Sequence, residues 1–181
     1  MGLAQRAAAA AIISGQYDDG LIDRYNIPVG ASPNHVQHNG GIGRTGVRFE
    51  TGSAGIGKVV KSVWIRFRKY GNPTGNITCN IRKAADDSAV LIRSFPIDSN
   101  QYQFSETGET VLILRNRFDN TYQMVAGDHV SIEFPSNATN GFEITTNSSA
   151  ADPSGYTSRS HNGSVWSAAL SDPLAIIIKT D

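Results

Sequence analysis

From residue 45 onward the chain alternates apolar and polar positions with a period of two. Val63, Ile65 and Phe67 are interleaved with Trp64, Arg66 and Arg68, and Ile77, Cys79 and Ile81 with Thr78, Asn80 and Arg82. That period places successive side chains on opposite faces of a strand and predicts half-buried β-structure. Between the two runs lies Tyr70-Gly71-Asn72-Pro73-Thr74-Gly75-Asn76, dense in turn formers, so the pair reads as a hairpin. Further strands are expected at 90–95, 110–115, 129–134, 142–146, 156–160 and 174–179. Turns at Ala126-Gly127-Asp128 and Asn140-Gly141 separate several of them. The run Leu174 to Ile178 is apolar on both parities, as in a strand with both faces covered. Strands at this spacing with no helical periods between them predict an all-β, antiparallel two-sheet β-sandwich over 45–181.

Residues 1–44 break the pattern. Five consecutive alanines (Ala7 to Ala11) give 2–14 a helical leaning, but a segment that short is marginal alone. Residues 15–44 are rich in Gly, Asn, Pro and His, with a brief strand-like run at 21–27. The expectation is an N-terminal arm or extended segment ahead of the sandwich.

Composition narrows the classes. The chain has 181 residues, enough for one domain with its own core. Sixteen basic and sixteen acidic residues cancel, which argues against a nucleic-acid partner, since phosphate binding usually leaves a basic excess. Cys79 is the single cysteine, so no intrachain disulfide forms, and its place between Ile77 and Ile81 reads as a small buried hydrophobe. No segment approaches the roughly 18 apolar residues of a membrane span. The apolar run 7–13 is too short and Ala-rich for a signal peptide, and Arg6 stands where myristoylation wants Ser or Thr. The N-terminus reads either as a native start made in the cytoplasm, the favoured expectation, or as a chain trimmed of its leader.

These residues carry a family likeness. The strand Val63 to Arg68, the turn Gly71 to Gly75, the strand Ile77 to Arg82 and the run Ala126 to Phe134 are followed by Gly155-Tyr156, Gly163 to Trp166 and Pro173 to Ile178. Together they resemble the jelly-roll-like β-sandwich modules of secreted bacterial proteins and of phage tail and virion proteins, which are similar in shape to carbohydrate-binding domains. The likeness spans about residues 45 to 179. It implies a fold, and a fold does not fix a function.

Candidate chemistry is sparse. There is no Gly-x-Ser-x-Gly elbow. Glu133 and Glu143 lie on the polar parity of short strands, where a solvated face explains them, so no catalytic residue is nominated. His35-x-x-His38 lacks a nearby third ligand and reads as loop. Asp18, Asp19 and Asp23, with Asp172 near the other terminus, form a candidate oxygen cage for a structural calcium, the only cofactor the chain suggests. The most suggestive surface is the polar side of the expected hairpin, where Trp64, Arg66, Arg68, Asn80 and Arg82 share a face. That set suits a sugar platform or a protein interface, and equally a patch packed under the N-terminal arm. Tyr156 and Trp166 form a second aromatic pair with the same alternatives. Two functions are carried forward. One is a non-catalytic structural or attachment protein of a homo-oligomeric assembly, a phage or virus particle with protein subunits as partners, located on a virion or extracellular surface. The other is a carbohydrate-binding module of a secreted protein, with a glycan partner.

Overall fold

The computed structural model describes residues 22–26, 33–38, 43–83, 86–93, 97–98, 112–134, 139–148, 150–162, 164–167, 169–174 and 176–181. All regular structure among them is β. The strands are β1 (Ile22–Asn26), β2 (Pro33–His38), β3 (Arg44–Phe49), β4 (Val60–Tyr70), β5 (Asn76–Lys83), β6 (Asp86–Arg93), β7 (Ile97–Asp98), β8 (Leu112–Arg117), β9 (His129–Glu133), β10 (Gly141–Asn147), β11 (Tyr156–His161) and β12 (Ile176–Thr180). They form two antiparallel sheets of six strands. The first runs β1-β12-β4-β10-β2 with β8 also on β4, and the second runs β11-β3-β9-β5-β6 with β7 also on β5.

The alternation read from the sequence builds the core. Val47 and Phe49 of β3, Val63, Ile65 and Phe67 of β4, and Ile77, Cys79 and Ile81 of β5 are fully buried in one cluster. Val130, Ile132, Phe142, Ile144 and Ile178 join it. The cluster draws on both sheets, so their apolar faces share it. Phe67 of the first sheet lies 5.5 Å from Phe134, which follows β9 of the second. Phe134 stacks on Phe142 at 4.8 Å, within the range of favourable ring pairs. β12 sits between β1 and β4. Its three isoleucines are at most 8% exposed, in keeping with a run that is apolar on both parities.

The expected β4–β5 hairpin does not form. β4 belongs to the first sheet and β5 to the second, so the chain crosses between layers at residues 71–75. The reason is in the connection. A two-residue turn would hold the strands in one sheet, whereas this longer loop carries positive φ at Gly71 (61°) and at Gly75 (116°) and docks on another loop. Asn72 N donates to Asn140 Oδ1 at 2.7 Å, and a Cβ at Gly71 would stand 2.3 Å from that oxygen. β4 has its hydrogen-bonding sides occupied elsewhere, by β12 (Ile65↔Ile176), β10 (Phe67↔Ile144) and β8 (Ile65↔Leu114). Consecutive strands from β8 to β12 likewise alternate between sheets, and β5–β6 is a same-sheet neighbour pair.

Two stretches of the expected N-terminal arm are strands. β1 pairs with β12 (Ile22↔Thr180), and β2 pairs with β10 (Asn34↔Thr146). His35 and His38, read as loop, lie on β2 opposite Thr145 and Phe142. Residues 1–21, including the alanine run, are outside the described residues.

Candidate functional site

Because β4 and β5 lie in different sheets, the surface nominated from the sequence divides. Trp64 sits on the side of the first sheet away from the core, opposite Ile177 and Arg115. It is 5% exposed, so it is not an open platform. Arg66 lies opposite Ile113 and Arg68 opposite Glu143 on the same strand. Asn80 and Arg82 sit on the outer side of the second sheet, 1% and 5% exposed. The expected pair of Tyr156 and Trp166 divides too. Tyr156 faces the core, packed edge-on against Phe49 at 5.1 Å, whereas Trp166 covers the outer face of the second sheet. Of the candidate calcium ligands, Asp18 and Asp19 are outside the described residues, Asp23 lies opposite Lys179, and Asp172 is half-buried before β12. Among the described residues no group of three His, Cys, Asp or Glu side chains could hold a metal ion.

The outer face of the second sheet carries the densest chemistry. Its registers set Arg44 opposite Glu133, Gly46 opposite Ser131 and Arg48 opposite His129 across β3 and β9. On β5, Asn80 faces Ser131 and Arg82 faces His129. On β11, His161 faces Arg44 and Arg159 faces Gly46. The alternation that buries Val47, Val130 and Ile81 thereby turns four arginines and two histidines to the other side.

Trp166 reaches this face through a tight turn after β11. Asn162 Oδ1 accepts the Ser164 and Val165 amides at 3.0 and 2.9 Å, as in an Asx turn. The chain then runs back beside β11, with Ser167 N donating to Ser160 O at 2.7 Å and Leu170 N to Ser158 O at 2.8 Å. Arg159 Nε clamps the return by donating to Ser167 O at 2.7 Å. The Trp166 ring lies over Gly46, where a Cβ would stand 3.1 Å from its Cη2 and 2.7 Å from Val130 O. It stacks on His129 (4.6 Å, 11°) and meets His161 edge-on (5.2 Å, 76°). The Arg44 guanidinium is 5.9 Å from the ring centre, within cation–π reach. Trp166 Nε1 is buried with no hydrogen-bond partner among the described residues.

The electrostatics follow from the crowding. Burial lowers the His129 pKa, and the charges of Arg159, Arg48, Arg44 and Arg82 lower it further, to about 3. His129 is therefore a neutral imidazole at neutral pH. His161 Nε2 lies 3.1 Å from Arg44 Nη2. A guanidinium can only donate, so this nitrogen accepts and His161 is neutral in this contact. Arg82 Nε donates to Glu133 Oε1 at 3.0 Å, and Nη2 donates to the same oxygen. Burial alone would raise the Glu133 carboxyl. The hydrogen bonds from Arg82 and Asn80 and the charges of Arg82 and Arg44 outweigh it and hold the group below its ordinary value.

Sequence reasoning nominated Arg82, Asn80 and Trp166 but missed Arg44, Arg48, Arg159, His129 and His161. The signal was available in part: Arg44-x-Gly46-x-Arg48 and His129-x-Ser131-x-Glu133 are polar-parity triplets of strands. Their meeting depends on a β3–β9 pairing between residues about eighty positions apart, which no local pattern shows. Compared with known proteins, the chain matches no family model, no curated protein and no solved structure.

Proposed function

We propose that the chain is a non-catalytic structural or attachment subunit of an assembly, a capsid decoration or tail component of a phage or virus particle. In this reading the two sheets form a jelly-roll-like β-sandwich, displayed on a virion or extracellular surface and joined to copies of itself. The observation that carries the reading is the Trp166 cluster. Tryptophan and arginine dominate recognition surfaces; here Trp166, 8% exposed, packs on His129 with the Arg44 guanidinium 5.9 Å from its ring centre, and the half-buried Arg48 and Arg159 stand on the same sheet face. Such a face is rigid before any partner arrives, which lowers the ordering cost of binding. The repeated crossing between layers supports the jelly-roll reading, since that architecture joins two sheets through Greek-key connections.

The same groups are poor material for catalysis. A general acid–base catalyst works best with its pKa near the working pH, whereas His129 is held at about 3 and Glu133 is engaged by Arg82. A carbohydrate-binding module of a secreted protein is the second reading, favoured by the Arg44 guanidinium 5.9 Å from the Trp166 indole.

Light scattering on the full chain separates the two. A stable trimer or larger species supports the assembly reading. A monomer that binds a glycan array above background supports the module, and a monomer with no glycan signal refutes both.

A further inference from the structure

Among the described side chains on the outer face of the second sheet, arginines outnumber carboxylates. Four arginines surround the Trp166–His129 stack, and on the described side chains of these strands Glu133 is the one acid of the face. Glu133 is taken by Arg82. Glu50, just beyond β3, lies 3.6 Å from Arg48, and both side chains are more than a third exposed, so that pair is weak. Arg159 makes no ion pair among the described residues, and its Nε is held by a backbone carbonyl. This excess of positive charge stands on a chain whose formal net charge is zero. It is a local feature of one sheet face and not a property of the whole molecule.

We propose that Arg44, Arg48 and Arg159, grouped around Trp166, form a binding site for the sulfate or carboxylate groups of an acidic polysaccharide. The inference rests on reading this face as a recognition surface, and it names the ligand class. Three features carry it. Arg44 and Arg48 are four residues apart on β3, about 13 Å along the strand, and Arg159 lies opposite the midpoint, Gly46. The strand registers thus start the three arginine side chains from separated positions on the face, around His129. A single small anion has no cradle there, whereas a chain bearing an anionic group on successive units meets one fork after another, each able to bind two oxygens. Two of the three are also pre-positioned: Arg159 is clamped to Ser167 and Arg44 is tied to His161. Finally, the patch is too small for a nucleic acid. Phosphate-backbone binders make on the order of six to ten charge contacts and generally carry a basic excess, and this chain has none.

The test is calorimetric titration of the full chain with a heparin-derived hexasaccharide, a neutral dextran of similar length and a single-stranded oligonucleotide of matched charge. Spectra of the two indole N–H resonances follow each titration. Expected are binding of the sulfated hexasaccharide and none of the dextran. Affinity should fall between about 50 and about 200 mM salt, and the Trp166 N–H signal should move while that of Trp64 stays. Arg44→Gln and Arg48→Gln should each weaken binding about tenfold. Arg48, partly solvent-exposed, keeps the test valid should Arg44→Gln unfold, as melting temperatures will show. The proposal is overturned by no binding of the hexasaccharide, by binding unchanged in Arg48→Gln, or by tighter binding of the oligonucleotide. None of these outcomes alters the oligomeric state, by which the assembly reading stands or falls.

Discussion

His129 makes the second sheet an acid-labile element, and the size of the effect follows from its surroundings. The ring is 2% exposed, stacked under Trp166 and faced by four arginines. Its pKa falls from 6.5 to about 3 on folding, by burial first and then by the charges of Arg159, Arg48, Arg44 and Arg82. The folded state therefore refuses a proton that the unfolded chain accepts anywhere between those values. Where the unfolded state binds more protons, stability rises with pH. The contribution of His129 is intact above about pH 6.5 and is lost progressively as pH falls toward about 3. At 1.36 kcal/mol per pH unit the full loss is ~5 kcal/mol, an upper bound, and between about pH 6.5 and about pH 4.5 it is ~2–3 kcal/mol. Urea unfolding of the wild type and of His129→Phe across that range isolates the effect, because phenylalanine keeps the stack and cannot titrate. The wild type should lose ~2–3 kcal/mol more than the variant between those two pH values. Added salt should shrink the arginine part of the difference and leave the burial part. Parallel loss of stability in the two proteins would show that the imidazole titrates as in water, and the stack among the arginines would not be the structure in solution.

Other consequences are equally direct. Gly46→Ala places a methyl group 2.7 Å from Val130 O and 3.1 Å from the Trp166 ring. It should cost about 1–3 kcal/mol and red-shift the Trp166 emission, read by fluorescence in a Trp64→Phe background. Glu133→Gln leaves the buried Arg82 guanidinium without its counter-charge, and a loss of about 2–4 kcal/mol is expected. Arg82→Met with Glu133→Leu should cost less than the two single changes added together, measured as a double-mutant cycle by urea unfolding. Asp128 accepts from Tyr122 Oη at 2.8 Å and from Val125 N at 2.9 Å. Asp128→Ala should therefore cost about 1–3 kcal/mol. The Tyr122 phenol, raised to about 12 by burial and by the bond to and charge of Asp128, should then titrate lower, as followed by absorbance.

How far the sequence revealed this depended on how local each feature is. Period-two alternation locates β4, β5, β9, β10 and β11 and assigns the core faces of β4 and β5, because one strand's burial is written in its own side chains; on β11 it leaves Tyr156 open, and the structure turns it to the core. Pairing across layers is not written there. The Gly71–Gly75 stretch has hairpin composition, yet it becomes a crossing because β4 finds its neighbours in β8, β10 and β12, tens of residues away. That one difference separates Trp64 from Asn80 and Arg82. It also hides the Arg44–Arg48–Arg159 set, which exists only once β3 lies between β9 and β11. β2 was illegible for a related reason. Pro33-Asn34-His35 is weak strand composition, and its place beside β10 is a tertiary choice.

The split of the nominated face changes what any binding experiment can mean. Trp64 and Trp166 lie on the outward sides of different sheets, with the shared core between them, so no small ligand touches both. An interface that buries the Trp64 side leaves the Trp166 side open, and the chain can assemble through one sheet while presenting the other. The proposed assembly and the proposed recognition of an acidic polymer can therefore be tested separately, one on each sheet face. Charge reversal at Arg48 should abolish polymer binding with the oligomer intact, as read by light scattering. If Arg48→Glu dissociates the oligomer while the melting temperature of the fold is kept, the arginine face is itself the subunit interface. Its anionic partner is then a neighbouring copy of the chain and not a polysaccharide.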